Sequence, residues 1–231
     1  MIDAIIFDKD GTLFDFRACW GAWTSSVLAE LTPDPARAQY LGTILGFDPA
    51  TWAFTKDSAV ISQTTPEIAA LIYPHLTGIS FADLNERLNA LSASAPVVPA
   101  VDLRPVLSGL QARGLKLGLA TNDTEAPARI HLEHAGILDL FDFVAGCDSG
   151  WGGKPGPGQL LAFLERFGLS AARAVMVGDS RHDLDAGRAA GMKAVAVLTG
   201  IATEDELAPH ADVVLSDISQ LGDWIDGLTA A

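Results

Sequence analysis

Two aspartates directly follow the first apolar run of the chain. Asp8 and Asp10 come after the residues IIF, with Lys9 between them. A carboxylate at the edge of an apolar core is costly unless it is solvated, protonated or paired with a cation. A carboxylate at a strand end can also attack phosphorus, and a second acid two residues later can protonate the leaving oxygen and then activate water. The pair is therefore a candidate for phosphoryl transfer through an aspartyl phosphate.

Other chemically active side chains follow later apolar runs. Thr121 and Asn122 follow the run LKLGLA. Asp179 and Asp183 follow the run AVMVG, and Lys154 stands in the loop GWGGKPGPG. Clustered aspartates supply the oxygen ligands that Mg²⁺ prefers, and the ion would offset their charge and that of a phosphoryl group. Lys154 and the Thr121 hydroxyl would bind the phosphoryl oxygens that do not contact the ion.

These residues need a framework that brings distant strand ends together. Runs typical of buried strands cover residues 3–8, 115–121, 141–146, 174–179, 193–199 and 212–217. Helix-like stretches alternate with them, and this alternation predicts an α/β fold with a doubly wound, Rossmann-like parallel sheet that is covered on both faces. Ligands of such sheets bind beyond the carboxyl ends of the strands, which is where these residues stand.

Amphipathic spacing indicates the helices between the strands. One covers residues 104–113. Another, EAPARIHLEHAGI, stops at Gly136 and carries His131 and His134, which we interpret as part of a solvated face. A third, GQLLAFLERFGL, stops at Gly168. Its apolar face is predicted to hold Leu160, Leu161, Leu164 and Phe167.

The segment from residue 15 to residue 97 departs from this alternation. It consists of successive helical stretches, among them RACWGAWTSSVLAEL and FADLNERLNALSA, with no competing strand. The prolines of SAPVVPAVDLRP predict a stiff, extended return. We therefore predict an α-helical cap at residues 15–97, inserted into an α/β core of residues 1–14 and 98–231. Its core is expected to contain the aromatic residues Trp20, Trp23, Trp52 and Phe54.

Four segments of the chain resemble a known set of motifs. FDKDGTL, LATND, GKPGP and GDSRHDLDAG are similar, in order, strand context and spacing, to the motifs of haloacid dehalogenase-like (HAD) superfamily phosphatases. The resemblance covers residues 5 to about 200. The layout, with a helical cap inserted after the first motif, is most similar to that of phosphoglycolate phosphatase-like members. It implies a Mg²⁺-dependent phosphoric monoester hydrolase that acts on a small phosphorylated metabolite, phosphoglycolate-like or a sugar phosphate. A phosphomutase of the same superfamily and a non-catalytic regulatory protein on the same fold are the alternatives.

The resemblance also implies roles for the residues named above. Asp8 matches the nucleophile and Asp10 the general acid/base. Thr121 and Lys154 match the residues that bind phosphate. The Mg²⁺ ion would be held by Asp8, the Asp10 backbone carbonyl, Asp179 and, directly or through water, Asp183.

Four more residues are candidates for contacts with the substrate. Gly11 permits a tight turn within the first motif, and Asn122 adjoins the predicted phosphate site. A carboxylate or second phosphate on the substrate would need a basic residue of the cap. We favour Arg17, which directly follows the first motif, and Lys56, which lies in a less helical stretch.

Two residues depart from the pattern of the family. Lys9 stands where an apolar residue is commoner, and it either adds a positive charge beside Asp8 or packs its stem outward. Asp123 follows Asn122 where such phosphatases often carry a lysine. Both departures argue against phosphoglycolate itself more than against phosphatase chemistry.

The composition limits the partners of the chain. Its 15 basic and 29 acidic residues give a formal charge of −14, which opposes attraction to nucleic acid or anionic lipid. No apolar run approaches the ~18 residues of a membrane helix. No basic leader precedes the first strand, and Cys19 and Cys147 suit a reducing cytosol, so we expect a cytoplasmic protein. The sequence leaves the oligomeric state, monomer or dimer, open.

Overall fold

A six-stranded parallel sheet lies at the centre of the computed structural model, which describes residues 2–230. The strands are β1 Ala4–Phe7, β2 Phe47–Asp48, β3 Ala53–Phe54, β4 Lys116–Ala120, β5 Phe143–Ala145, β6 Ala174–Gly178, β7 Lys193–Val197 and β8 Val213–Leu215. The helices are α1 Phe16–Leu31, α2 Pro35–Leu45, α3 Ala59–Ser62, α4 Thr65–Ile72, α5 Phe81–Ala93, α6 Leu103–Ala112, α7 Glu125–His134, α8 Gly158–Phe167, α9 Arg181–Ala189, α10 Glu204–Leu207 and α11 Leu221–Ala230. Within these residues, no helix is both long and apolar enough to cross a membrane.

The sheet has the strand order β5-β4-β1-β6-β7-β8. β1 lies between β4 and β6, in a parallel register that places Phe7 opposite Leu119 and Val177. Because parallel strands end at the same edge, the residues that follow β1, β4 and β6 are neighbours in space. The predicted α/β fold with a parallel sheet is confirmed.

β1 separates two apolar clusters. Ile5 and Phe7 belong to one cluster, together with apolar side chains of α6, α7 and α11. Ala4 and Ile6 belong to the other, together with side chains of α8 and α9. Successive side chains of a strand point to opposite faces. The sheet is therefore covered on both faces, which explains why its strands are continuously apolar rather than alternating.

The predicted face of α8 needs one correction. Leu161 is 46% exposed, whereas Phe163 is fully buried. Leu160 and Leu164 are buried as predicted, so the buried face follows the helical spacing i, i+3, i+4. The helix ends at Gly168, which has a left-handed φ of 63°.

The elements between β1 and α6 form what we call the helical insert, namely α1–α5 and the hairpin β2–β3. The hairpin contradicts the expectation that this segment contains no strand. Its strands have two residues each, which is too short to leave an alternating pattern in the sequence. Trp20 and Trp23 are buried as expected, but Trp52 lies in the turn of the hairpin and is 50% exposed.

The chain enters and leaves the helical insert at neighbouring points. The Asp15 backbone N–H donates a hydrogen bond to the Val98 carbonyl at 2.8 Å. The Ala100 N–H donates to the Leu13 carbonyl at 2.9 Å. The two connections therefore run side by side near the carboxyl end of β1. The cap boundaries at residues 15 and 97 stay a prediction.

Candidate active site

An ion-pair cluster lies beyond the carboxyl ends of β1 and β6. The Lys154 Nζ atom is 2.5 Å from Asp8 Oδ1 and 2.6 Å from Asp183 Oδ1. All three side chains are buried, with the Lys154 side chain only 3% exposed. Asp179 adjoins the cluster and accepts a hydrogen bond from the Thr12 hydroxyl at 3.3 Å. The structure therefore brings together residues that come from three separate parts of the sequence.

Three of these carboxylates form a candidate metal centre. Oxygen atoms of Asp8, Asp179 and Asp183 all lie within 4.8 Å of one another. Burial, with repulsion from the neighbouring carboxylates, raises the pKa of Asp8 to about 7 despite the nearby Lys154 ammonium. The same causes raise the pKa of Asp179 well above its ordinary value. One ammonium does not balance three carboxylates, so this oxygen donor set fits a divalent cation.

Glycines make room for the Asp179 carboxylate. Gly11 has a φ of 84°, and a Cβ atom there would overlap the carboxylate of Asp179. A Cβ atom at Gly200 would overlap the same carboxylate. The structure gives Gly11 this close approach to Asp179, and its contact with the substrate stays a prediction. Gly200 was not predictable from the sequence, because nothing in the residues around it relates it to the motifs.

Asn122 connects the Lys154 loop to the helical insert. Its Nδ2 donates to the Ser62 carbonyl at 2.7 Å and to the Lys154 carbonyl at 3.0 Å. Its Oδ1 accepts from the Lys154 N–H at 2.7 Å. Thr121 is buried at the same edge, where its hydroxyl oxygen accepts from the Asp123 N–H at 3.1 Å. In this arrangement the amide of Asn122 orients the loop that carries Lys154.

Lys9 lies fully buried beside Asp10. Its Nζ is 2.9 Å from Asp10 Oδ1 and 2.8 Å from Asp10 Oδ2. It also lies 3.3 Å from Asp123 Oδ2 and 3.0 Å from His131 Nδ1. Of the two interpretations of Lys9, the outward-packed stem is wrong, and the positive charge lies beside Asp10 and Asp123. The prediction that His131 is solvated is wrong, since it is 4% exposed, whereas His134 is exposed as expected.

The two departures from the family pattern therefore contact each other. Lys9 and Asp123 are far apart in the sequence but form one buried ion pair. Nothing in the spacing of either residue relates it to the other. A lysine and an aspartate that both follow buried strands are the only signal that could have suggested the pair.

The candidate catalytic side chains line one small cavity between the sheet and the helical insert. Its volume is about 40 Å³, and the insert contributes Phe16, Trp20, Val60, Ile61 and Ile68 among other residues. The sheet side contributes Asp8, Asp10, Thr121, Asn122, Lys154, Asp179 and Asp183. Small-molecule sites usually have roughly 300–1,000 Å³. The insert therefore lies over the acids, and a substrate larger than this cavity must extend beyond it or displace the insert.

The structure does not bring the two favoured basic residues to this cavity. Arg17 is exposed, because Phe16 and Trp20 share the buried face of α1 and Arg17 lies off it. Lys56 has a side chain that is 80% exposed and pairs with Glu206 at 2.7 Å. It lines a neighbouring cleft of about 430 Å³ instead. His182 lines both the cavity and this cleft.

Comparisons with known proteins agree with this architecture. The family model described as haloacid dehalogenase-like hydrolase matches residues 5–197. A phosphoglycolate phosphatase from Rhodospirillum rubrum is 40% identical over 120 residues, which are 52% of this chain and 50% of that protein. The chain thus matches about half the length of this relative. A phosphoglycolate phosphatase from Xanthomonas campestris pv. campestris is 29% identical over 225 residues, 94% of each chain.

A solved structure shares the fold over nearly the whole chain. The crystal structure of CbbY from Rhodobacter sphaeroides in complex with phosphate has a TM-score of 0.72 and covers 96% of this chain and 97% of its own, at 23% identity. The family match runs from β1 through β7, so it includes every strand end that meets at the acid cluster. The chain belongs to the haloacid dehalogenase-like hydrolase family.

Proposed function

We propose that the chain is a phosphatase that hydrolyses a small phosphorylated metabolite through an aspartyl phosphate. The observation that carries the proposal is the buried contact of the Lys154 ammonium with the carboxylates of Asp8 and Asp183, at 2.5 and 2.6 Å. A buried lysine can pair with phosphoryl oxygens as readily as with carboxylates. Its position beside Asp8 would place the phosphorus of a bound ester next to that carboxylate.

The proposed reaction has two steps. An Asp8 oxygen forms a bond to phosphorus while the bond to the leaving oxygen breaks, and Asp10 gives that oxygen a proton. Water then attacks the phosphorus of the aspartyl phosphate and gives a proton to Asp10, while the bond between phosphorus and the Asp8 oxygen breaks. Phosphate leaves, and both aspartates return to their starting state. Lys154 and the Thr121 hydroxyl would orient the phosphoryl oxygens throughout.

The proposal includes a Mg²⁺ ion at the acid cluster. Asp8, Asp179, the Asp10 backbone carbonyl and Asp183 would hold it, the last directly or through water. When bound, the ion supplies positive charge that stabilises the charge on the phosphoryl oxygens. The overlap that a side chain at Gly11 would make with Asp179 supports a fixed position of this ligand.

The surroundings of the cavity support a small substrate. The cavity has a volume of about 40 Å³, and the insert lines it with apolar side chains. We propose a phosphoglycolate-like acid or a sugar phosphate, with the helical insert acting as a cap. The relatives named phosphoglycolate phosphatase support the first of these classes.

Release of phosphate from a panel of small esters tests the proposal. The panel includes 2-phosphoglycolate, sugar phosphates and para-nitrophenyl phosphate, each with Mg²⁺ and again after chelation. We expect Mg²⁺-dependent release that Asp8→Asn abolishes and that Asp139→Asn, at an exposed ion pair with Arg104, leaves intact. Turnover by Asp8→Asn equal to that of the wild type would contradict the role of Asp8. Isomerisation of a sugar phosphate without release of phosphate would indicate a phosphomutase instead, and inactivity on every ester would indicate a regulatory protein.

A further inference from the structure

We propose that Lys9 is a positioning residue that holds the Asp10 carboxylate at the edge of the active-site cavity. Lys9 is itself held in place by Asp123 and His131. The proposal rests on the proposed function, since it concerns the residue that would act there as acid and base. It goes beyond that function, because no step of the reaction uses Lys9.

The ammonium group of Lys9 has an acceptor for each of its three N–H bonds. The acceptors are the Asp10 carboxylate at 2.8 and 2.9 Å, Asp123 Oδ2 at 3.3 Å and His131 Nδ1 at 3.0 Å. The side chain is 0% exposed, so water does not compete for these contacts. A fully buried lysine with all three donors engaged has one stable orientation.

His131 takes part as a neutral acceptor. Its Nε2 lies 2.7 Å from the carbonyl oxygen of Ser92, which can only accept. The proton is therefore assigned to Nε2, and Nδ1 is left to accept from Lys9. Burial and the neighbouring ammonium both lower the pKa of His131, which agrees with the neutral form. The charges next to Lys9 are thus the two carboxylates of Asp10 and Asp123.

The second carboxylate is fixed by other contacts. Asp123 Oδ2 accepts from the Ser92 hydroxyl at 3.0 Å, and Oδ1 accepts from the Thr124 N–H at 2.8 Å. The ring of Trp20 lies 5.4 Å from the Lys9 Nζ atom. Ser92 and Trp20 belong to α5 and α1 of the helical insert. The insert therefore contributes to the surroundings that hold Lys9.

Asp10 is the member of this network that reaches the cavity. Its side chain is 15% exposed and lines the cavity, while both of its oxygens contact the Lys9 Nζ atom. Acid and base catalysis needs the carboxyl within hydrogen-bonding reach of the leaving oxygen. A misplacement of about 1 Å can cost roughly 100-fold in rate. Lys9 thus restricts the rotation of Asp10 without closing its access to the substrate.

Two phosphate esters separate positioning of Asp10 from general damage. An alkoxide leaving group, as in 2-phosphoglycolate, needs a proton, whereas para-nitrophenolate leaves without one. We expect Lys9→Met to lower kcat/KM about 100-fold for the alkyl ester. For the aryl ester we expect kcat/KM to fall by no more than about tenfold. An equal loss for both esters, or no loss for the alkyl ester, would overturn the proposal.

Lys9→Met leaves the buried Asp123 carboxylate without its cation and could unfold the chain. The double variant Lys9→Met/Asp123→Asn avoids this, because the formal charge of residues 9, 10 and 123 stays at −1, as in the wild type (+1 − 1 − 1 against 0 − 1 + 0). We expect it to fold and to show the same dependence on the leaving group. Lys116→Met, which removes an exposed ion pair with Asp142, serves as the matched control.

A crystal structure of the double variant provides a readout that does not depend on activity. We expect the Asp10 side chain to leave its wild-type rotamer or to occupy more than one. An unchanged, single rotamer of Asp10 would overturn the proposal, even if no ester were hydrolysed by the wild type. Inactivity of the wild type on all esters would instead refute the proposed function and leave this structural test standing.

Discussion

The Lys154 Nζ atom lies 2.5 Å from the Asp8 Oδ1 atom, although 146 positions separate the two residues in the chain. The contact exists because β1 is a central strand and the loop after β5 reaches across the carboxyl edge of the sheet. Desolvation would lower the pKa of Lys154, but Asp183 and Asp8 outweigh it and raise this pKa. The lysine is therefore charged at all physiological pH values.

Replacement of Lys154 by methionine is expected to remove most of the activity. A positioned cation that contacts the reacting phosphoryl group is worth about 100- to 1,000-fold in rate, as for other preorganised donors. Lys154→Arg is expected to be nearly as inactive, since a planar guanidinium does not fit the site of a compact ammonium. Phosphate release by the purified variants measures this loss. Full activity of Lys154→Met, beside an active Lys116→Met control, would contradict the assignment.

Mg²⁺ is expected to stabilise the chain against unfolding. A ligand at 100 times its Kd adds about 2.7 kcal/mol to the free energy of unfolding. For a chain of this size that raises Tm by roughly 5–10 °C. Thermal unfolding with Mg²⁺ and with a chelator measures the shift. The rise of Tm with Mg²⁺ should be absent in Asp179→Asn and present in the control Asp139→Asn. A wild-type Tm that does not respond to Mg²⁺ would exclude the proposed ion.

The metal-free chain is expected to lose stability as the pH rises toward 7. The pKa of Asp8 rises from 3.8 to about 7 on folding, so between these values the folded state binds more protons than the unfolded state. The free energy of unfolding then falls with rising pH. The contribution of Asp8 to the free energy of unfolding is fully present below pH 3.8 and is lost as the pH rises through about 7.

Denaturant unfolding in a chelator across this range tests the effect. Asp8→Asn cannot lose a proton at this position, so its free energy of unfolding should depend less steeply on pH. Equal slopes for the variant and the wild type would show that Asp8 does not titrate in this range.

Gly11→Ala is expected to be more harmful than an alanine at another glycine with a positive φ. Gly136 has a φ of 66° and no atom within 4 Å of an added Cβ, so Gly136→Ala costs only backbone strain, about 1–2 kcal/mol. Gly11→Ala adds the overlap with the Asp179 carboxylate. It should therefore destabilise the chain further and weaken Mg²⁺ binding, measured by thermal unfolding and calorimetric titration. Equal effects of the two substitutions would refute the role given to Gly11.

Asn122→Ala is expected to loosen the Lys154 loop. The substitution leaves the carbonyl groups of Ser62 and Lys154 without a hydrogen-bond donor, which costs about 1–3 kcal/mol for each group that water does not reach. We expect a lower Tm and a raised KM, since the loop would no longer hold its ammonium in place. Gln111→Ala, which removes an amide contact with the Leu140 carbonyl away from the cavity, is the control. A KM unchanged by Asn122→Ala would contradict the positioning role.

The strands and the acids of the site were predictable because each depends on a local pattern. A buried parallel strand is a short apolar run, and a polar residue directly after it must lie at the edge of the sheet. Asp8, Thr121 and Asp179 follow such runs, so their meeting could be predicted without coordinates.

The remaining features depend on contacts that no local pattern records. The pairing of Lys9 with Asp123 depends on how β1 and β4 lie next to each other, and the burial of His131 depends on the position of α5. The positions of Lys56 and Arg17 depend on the path of the insert. Apolar spacing alone does not decide whether Leu161 or Phe163 lies on the buried face of α8.

The hydrogen bonds that join Asp15 to Val98 and Leu13 to Ala100 have a consequence for how such a chain can diversify. Both segments that connect the insert to the sheet lie side by side at one place beside the sheet. The helical insert can therefore become longer or shorter, or be replaced, while the strands and the acids of the core keep their positions. The insert and the acid cluster can therefore change independently of each other.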